Sequence, residues 1–129
     1  MNTKYLMMAS SALMGITGIA ALFIPKEIAN SIAIPAAEWT IICIQIIGAL
    51  YLGFAIMNWM AKTVLIGGIY SRPLSMGNFL HFAIGGFVLL KKGISNSNPE
   101  YIWIFAGVYL IFAILFGIVL NTSPKKVTG

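Results

Sequence analysis

Residues 101–124 read YIWIFAGVYLIFAILFGIVLNTSP and contain no charged side chain. At about 1.5 Å of rise per residue, a helix of this length crosses the hydrocarbon core of a bilayer, which is about 30 Å thick. Three further charge-free stretches are long enough to do the same: residues 5–25, 39–61 and 73–90. Of the 129 residues, 60% are hydrophobic and 9% are charged, whereas a soluble domain is about one quarter charged. The sequence therefore predicts a membrane protein with four crossings.

The predicted fold class is all-α: an integral membrane four-helix bundle formed by a single domain, residues 1–129. The apolar stretches are continuous runs of Leu, Ile, Phe, Ala and Gly rather than the alternating pattern of a transmembrane barrel strand. Helices satisfy their own backbone hydrogen bonds in lipid, so four of them need no sheet edge to be covered. The first stretch is longer than the apolar core of a signal peptide and is expected to stay as a helix. The predicted helices cover residues 4–25, 39–61, 73–92 and 100–122.

The distribution of basic residues predicts an orientation, because cytoplasmic loops are enriched in Lys and Arg. Four crossings place five basic residues on one side of the membrane: Lys4, Lys62, Arg72, Lys125 and Lys126. The other side has three basic residues: Lys26, Lys91 and Lys92. All three acidic residues of the chain fall on this second side. Both termini are therefore expected on the cytoplasmic side of a cell membrane. Anionic lipid accounts for the net charge of +5, and no nucleic-acid partner is expected.

Two of the connections have features of their own. The isoleucines at positions 28, 32 and 34 predict a short helix in the outer interface that ends at Pro35. The connection 63–73 is apolar for a loop, and Gly67-Gly68 should break any helix running through it. Pro73 suits the first turn of the third long helix, where a missing N–H has no cost. The connection 91–100 reads as a polar turn.

Helices in lipid associate through small residues that let their backbones approach closely. Each of the four long helices has one stripe of small or polar residues at helical spacing, and these stripes are expected to face other helices. The first two consist of Ser11, Gly15, Gly18 and Leu22, and of Gln45, Gly48, Leu52, Ala55, Trp59 and Lys62. The last two consist of Leu74, Asn78, His81, Gly85 and Leu89, and of Trp103, Gly107, Leu110, Ile114, Gly117 and Asn121.

Polar side chains are costly in hydrocarbon and need partners there. Most of them are predicted in the cytoplasmic half of the helices. Four are candidate ligand-binding residues: Tyr51, Asn58, Asn78 and His81. The alternative is that Asn58 and Asn78 form hydrogen bonds between helices, and that His81 is a neutral imidazole donating to a neighbour. As a haem ligand, His81 would need a methionine, a water or another subunit opposite it, since it is the only histidine.

The sequence lacks the groups that most chemistries need. No carboxylate lies inside the charge-free stretches, which argues against a proton-coupled exporter and a cation filter. There is no histidine pair or cysteine cluster, so no metal site is predicted, and the single Cys43 is read as packing. No cofactor is predicted apart from the haem alternative at His81. Whether the chain is an enzyme stays uncertain, with the balance against it.

The second and third helices resemble those of small bacterial DoxX-like four-helix membrane proteins. The resemblance rests on Gly48-Ala-Leu-Tyr-Leu-Gly53, Asn58-Trp59 with Lys62, Arg72-Pro73 and Asn78-Phe-Leu-His81. It covers about half of the chain. Many members of this grouping are themselves uncharacterised, so the resemblance implies the fold and the bacterial inner membrane but assigns no site residue.

Three functions are compatible with the sequence. The first is a non-enzymatic accessory or interaction subunit, or a scaffold, with the lipid bilayer, other membrane subunits or further copies of the chain as partners. The second is a bundle that binds or transports a small lipophilic or weakly polar ligand from the cytoplasmic side. The third is a haem- or quinone-binding protein that uses His81.

Overall fold

A computed structural model describes residues 2–95 and 100–123, and the regular structure within these ranges is helical. The helices, in chain order, are α1 Thr3–Phe23, α2 Pro25–Ser31, α3 Glu38–Met60, a 3₁₀ turn Ala61–Thr63, α4 Arg72–Ile94 and α5 Glu100–Asn121. Four segments are long and apolar enough to cross a membrane: α1, α3 with its 3₁₀ turn, α4 and α5. The all-α class is confirmed. The ends of the long helices lie within two residues of the predicted ends, while the single domain and the four-helix bundle stay predictions.

Local signals explain where the long helices begin. The side chain of Asn2 accepts a hydrogen bond from the backbone N–H of Lys4 at 3.1 Å, which satisfies one of the free donors at the start of α1. Pro73 lies in the first turn of α4, as predicted. Glu100 is in the first turn of α5 and the Lys91-Lys92 pair is in the last turn of α4, where their charges complement the helix dipoles.

The short helix α2 is present but ends earlier than predicted. It stops at Ser31 rather than at Pro35. The N–H of Ala33 bonds to Asn30 O at 3.1 Å and the N–H of Ile34 bonds to Ala29 O at 2.9 Å. These two bonds form a Schellman cap, in which Ala33 takes the left-handed conformation with φ 56°. The cap terminates the helix before the proline is reached.

The chain divides into two compact units, one up to Thr63 and one from Val64 onward, and each is described by itself. In the N-terminal unit, α1 and α3 pack antiparallel. A Cβ added at Gly18 would lie 2.9 Å from the carbonyl oxygen of Gly48, so the two backbones are in direct contact. Ser11 lies opposite Ala55, to whose carbonyl oxygen its Oγ donates at 2.7 Å. The predicted face of α1 lies at this contact, as do Gln45, Gly48, Leu52 and Ala55 of the predicted face of α3, whereas Trp59 of that face is 49% exposed.

In the C-terminal unit, α4 and α5 pack antiparallel around aromatic rings. Phe82 is fully buried and stacks on Phe112 and Phe116, with ring centroids 4.8 and 5.9 Å apart. Two glycines of α4 leave space for side chains of α5. A Cβ on Gly85 would lie 2.8 Å from the ring of Tyr109, and a Cβ on Gly86 would lie 2.9 Å from Leu110.

The predicted inner face of α5 is wrong in part. Gly107 and Ile114 were expected to face a neighbouring helix but are exposed, whereas the buried residues are Ala106, Tyr109, Ala113, Phe116 and Val119. A Cβ on Gly107 would meet nothing within 4 Å. At Gly85 and Gly86 the small residues of this contact are on α4 and the large ones, Tyr109 and Leu110, are on α5, so small residues alone did not mark the packed face of α5.

The connection between α3 and α4 folds into a tight turn against the end of α5. Gly67 and Tyr70 exchange both backbone hydrogen bonds, at 2.9 and 3.1 Å. Gly67 and Gly68 have positive φ values of 128° and 54°, which glycine adopts without a steric penalty. The N–H of Gly68 donates to the carbonyl oxygen of Val119 at 3.2 Å. The turn thereby contributes a hydrogen bond to a carbonyl group in the last turn of α5, which also accepts from the N–H of Thr122 at 3.4 Å.

Candidate functional site

The four predicted ligand-binding residues are divided between the two units. Tyr51 and Asn58 lie on α3 in the N-terminal unit, and Asn78 and His81 lie on α4 in the C-terminal unit. Asn58 and Asn78 are fully buried, whereas Tyr51 and His81 are half-buried. A ligand site formed by the four residues stays a prediction.

Asn58 lies in a buried polar cluster of the N-terminal unit. Its Nδ2 donates to Ser10 Oγ at 3.0 Å and lies 3.7 Å from the sulfur of Met14, both on α1. Ser10 Oγ in turn donates to Met7 O at 3.1 Å, within its own helix. Asn58, Ser10, Met7 and Met14 all have an exposed fraction of 0%. Each of these polar groups has a partner within the unit, which is what a buried polar cluster needs in order to stabilise a contact.

Two further polar side chains connect α1 and α3. Ser11 Oγ donates to Ala55 O, and Gln45 Nε2 donates to Leu22 O at 3.3 Å near the other end of the contact. An amide or hydroxyl in hydrocarbon gains more from such a bond than from any contact with lipid tails. The polar residues of this contact therefore fix the rotation and the register of α3 against α1.

The polar face of α4 contains Asn78 and one residue that the sequence reasoning missed. Asn78 Nδ2 donates to Leu74 O at 3.0 Å, one turn earlier in the same helix. Ser75 is three residues before Asn78 and therefore on the same face, and it is also fully buried. Among the described residues, its Oγ has no hydrogen-bond partner. The spacing of three residues from Asn78 was the signal in the sequence that could have identified Ser75.

His81 lies in an aromatic cluster of the C-terminal unit. The centroid of its ring is 5.0 Å from that of Phe82, in an edge-to-face arrangement, and 5.5 Å from that of Tyr109. Phe82 and Tyr109 are themselves in edge-to-face contact at 5.2 Å. Such pairs stabilise a contact beyond the apolar area that they bury. His81 as a haem or quinone contact stays a prediction.

A second kind of polar feature lies at the end of α3. Lys62 Nζ is 3.3 Å from the centroid of the Trp59 ring, the geometry of a cation–π contact. Trp59 is 49% exposed and Lys62 is half-buried. The contact holds an ammonium group beside an exposed indole, immediately after the last turn of the helix.

Acidic and metal-binding groups are sparse. Within residues 2–95 and 100–123, no three His, Cys, Asp or Glu side chains are grouped so that they could hold a metal ion. Cys43 is exposed on α3.

These features define an all-helical protein with four helices that are long and apolar enough to span a membrane. In comparisons with protein families, with curated proteins and with solved structures, nothing matches this chain. The resemblance to DoxX-like proteins thus stays a prediction.

Proposed function

We propose that the protein is a multi-pass cell-membrane protein without catalytic activity, which acts as an accessory or interaction subunit or as a scaffold. The observation that supports this function most is the use of polar groups between α1 and α3. Ser10, Ser11, Gln45 and Asn58 all bond within the N-terminal unit, and three of these four bonds connect the two helices. Polar groups used in this way support helix packing rather than reaction chemistry.

The outward faces of α3 and α5 are where another membrane protein would bind. Large apolar side chains are exposed along both helices, among them Ile46, Leu50, Met57 and Met60 on α3 and Ile104, Ile111, Ile114 and Ile118 on α5. Such faces suit lipid tails, other membrane subunits or a second copy of the chain. A functional interaction surface would make one of these faces contact protein instead of lipid.

Photo-crosslinking in the native membrane tests this proposal. A photoreactive amino acid replaces Leu50 on α3 or Ile114 on α5, and Met14, which is fully buried, is the matched control position. We expect one exposed position to give a discrete protein adduct whose mass identifies a partner or a second copy, and the control to give none. Lipid adducts alone at every exposed position of both helices would contradict the proposal.

The proposed orientation places both termini in the cytoplasm of a bacterial cell, with the protein in the inner membrane. Lys4 and Arg72 at the starts of α1 and α4, together with Lys62 after α3, support it. Lys125 and Lys126, which complete the predicted cytoplasmic group, lie outside the described residues.

Cysteine labelling tests the orientation. In a Cys43→Ala background, Ala36→Cys and Thr63→Cys each introduce one thiol at an exposed connecting position. A membrane-impermeant maleimide should label Ala36→Cys in intact spheroplasts and Thr63→Cys only after lysis. The reverse pattern would show that the protein inserts the other way round.

A second candidate function is the binding of a small, weakly polar ligand, and one observation favours it. The buried hydroxyl of Ser75 has no hydrogen-bond partner among the described residues, beside Asn78 on the same face of α4. A ligand that accepts a hydrogen bond would satisfy it. Native mass spectrometry should then detect a co-purified small molecule that Ser75→Ala releases, and a chain with no bound molecule would contradict this candidate.

The alternative of haem binding at His81 predicts a Soret absorption band that is lost in His81→Ala.

A further inference from the structure

The Lys62–Trp59 pair at the C-terminal end of α3 is a candidate binding site. The antiparallel packing of α1 and α3 brings a second cation, Lys4, close to this pair. Gly48 lies opposite Gly18, and Ala55 lies opposite Ser11. Ser11 and Gly18 are seven residues apart on α1, and so are Gly48 and Ala55 on α3. A further seven residues along each helix in the same direction places Lys62 level with Lys4. The 3₁₀ turn that contains Lys62 packs against α1, in agreement with this register.

No acidic residue of the N-terminal unit balances these two cations. Its only acids are Glu27 and Glu38, on α2 and in the first turn of α3. Both lie at the opposite end of the α1–α3 pair, which at 21 residues and about 1.5 Å per residue is roughly 30 Å long. A pair of charges at that distance is screened by salt, since the Debye length is about 8 Å under physiological conditions. The N-terminal unit therefore provides no fixed countercharge near Lys4 and Lys62, so an anion bound there would come from outside the unit.

The position of Trp59 indicates which anion would bind there. A half-exposed indole at the end of a membrane-spanning helix lies at the level of the lipid headgroups, where tryptophan is enriched. Lys62 is held over the face of that indole, so its ammonium lies at the same depth. An ammonium has three donors, and the ring covers only one side of it. The remaining donors can reach a phosphate oxygen in the headgroup layer.

We propose that Lys62, held against Trp59 and assisted by Lys4, binds the headgroup phosphate of an anionic phospholipid. The contact is made in the leaflet at this end of the α1–α3 pair, which is the cytoplasmic leaflet in the proposed orientation. It requires membrane insertion but no protein partner. A negative crosslinking result would therefore contradict the proposed interaction function, whereas a negative lipid-quenching result would contradict only this lipid site.

Lipid-specific quenching of Trp59 tests this site in the full chain. Trp39→Phe and Trp103→Phe leave Trp59 as the only tryptophan, since the chain has three. The protein is reconstituted in phosphatidylcholine vesicles in which either brominated phosphatidylglycerol or brominated phosphatidylcholine is present at the same mole fraction. We expect the brominated anionic lipid to quench Trp59 at a two- to threefold lower mole fraction. Equal quenching by the two lipids would overturn the proposal.

Variants separate the site from the general attraction of a basic protein to anionic lipid. Lys62→Gln should abolish the preference, Lys62→Arg should retain it, and Lys4→Gln should weaken it. Lys91→Gln is the matched control, because it removes the same charge from the last turn of α4 and should leave the preference unchanged. An unaltered preference in Lys62→Gln would overturn the proposal, and retention by Lys62→Arg shows that the fold tolerates a change at this position.

The same assay distinguishes a lipid headgroup from free phosphate. Inorganic phosphate at millimolar concentration should not reduce the preference for phosphatidylglycerol, at ionic strength held constant with chloride. If inorganic phosphate abolished the preference while chloride did not, the occupant would be a soluble phosphate compound and the lipid assignment would be wrong.

Discussion

Gly18 and Gly48 face each other across the contact between α1 and α3 with no space for a side chain on either. A Cβ on Gly18 would lie 2.9 Å from Gly48 O, and a Cβ on Gly48 would lie 3.0 Å from Gly18 O and 2.8 Å from Ala21 Cβ. Backbone atoms cannot move aside as the end of a flexible side chain can. This pair therefore sets how closely the two helices approach.

Alanine at either glycine should destabilise the N-terminal unit. We expect Gly18→Ala and Gly48→Ala each to lower the free energy of unfolding by about 1–3 kcal/mol, because the added methyl group forces the helices apart. Thermal or denaturant unfolding in mild detergent measures the change. Gly53→Ala is the control: a Cβ there meets nothing within 4 Å. It should leave stability unchanged or raise it by up to about 1 kcal/mol through the better helix propensity of alanine. Equal losses at all three positions would contradict a specific close approach.

The hydrogen bond between Asn58 and Ser10 should appear as a coupling energy. Asn58→Ala and Ser10→Ala are expected to destabilise the protein individually, and the double variant should lose less than the sum. The difference should be about 0.5–1.5 kcal/mol, the range of interhelical hydrogen bonds in membrane proteins. A double-mutant cycle on unfolding free energies measures it. Thr17→Ala, which removes a bond within α1 alone, should show no coupling to Asn58→Ala.

Gly85 and Gly86 should differ in their tolerance of a methyl group, although they are adjacent. The atom nearest to a Cβ on Gly86 is Leu110 Cδ2, at the free end of a flexible side chain. The atoms nearest to a Cβ on Gly85 belong to the rigid ring of Tyr109, which contacts His81 and Phe82. Gly85→Ala should therefore be destabilising by about 1–3 kcal/mol and Gly86→Ala by less. Unfolding of the two variants side by side decides the order, and the reverse order would count against the described packing.

Ala33 should be a site at which glycine stabilises the protein. Its φ of 56° is unfavourable for a residue with a Cβ and easily adopted by glycine. We expect Ala33→Gly to raise the free energy of unfolding by about 0.5–1 kcal/mol. Ala36→Gly is the control, since Ala36 is an exposed loop residue without a positive φ, where glycine adds flexibility to the unfolded chain. A loss of stability in Ala33→Gly similar to that in Ala36→Gly would show that the cap is not formed.

Helix number and position were predictable because charge is excluded from hydrocarbon over a fixed thickness. The charge-free stretches therefore begin and end within four residues of the helix ends. The contact between α1 and α3 was predictable too, since it joins small residues of both helices: Gly18 to Gly48 and Ser11 to Ala55. Small residues in the sequence identify a helix–helix contact when both helices have them at the contact.

The packing of α4 and α5 was less predictable because glycines of one helix face large side chains of the other. Gly85 and Gly86 of α4 accommodate Tyr109 and Leu110 of α5, so the packed face of α5 looks like any apolar face. Of the candidate site, the burial of Asn58 and Asn78 followed from the cost of an amide in lipid. The role of Ser75 and the position of Lys62 over Trp59 depend on side-chain geometry, which spacing does not determine.

The close approach of Gly18 and Gly48 and the bond from Asn58 to Ser10 have a consequence for biosynthesis. Both contacts involve only residues that precede Val64, where the second unit begins. A ribosome that has inserted the first sixty residues has already delivered both partners of each contact. The first pair of helices can thus associate while the rest of the chain is still being translated. A chain truncated after Thr63 would still contain every residue that forms these contacts.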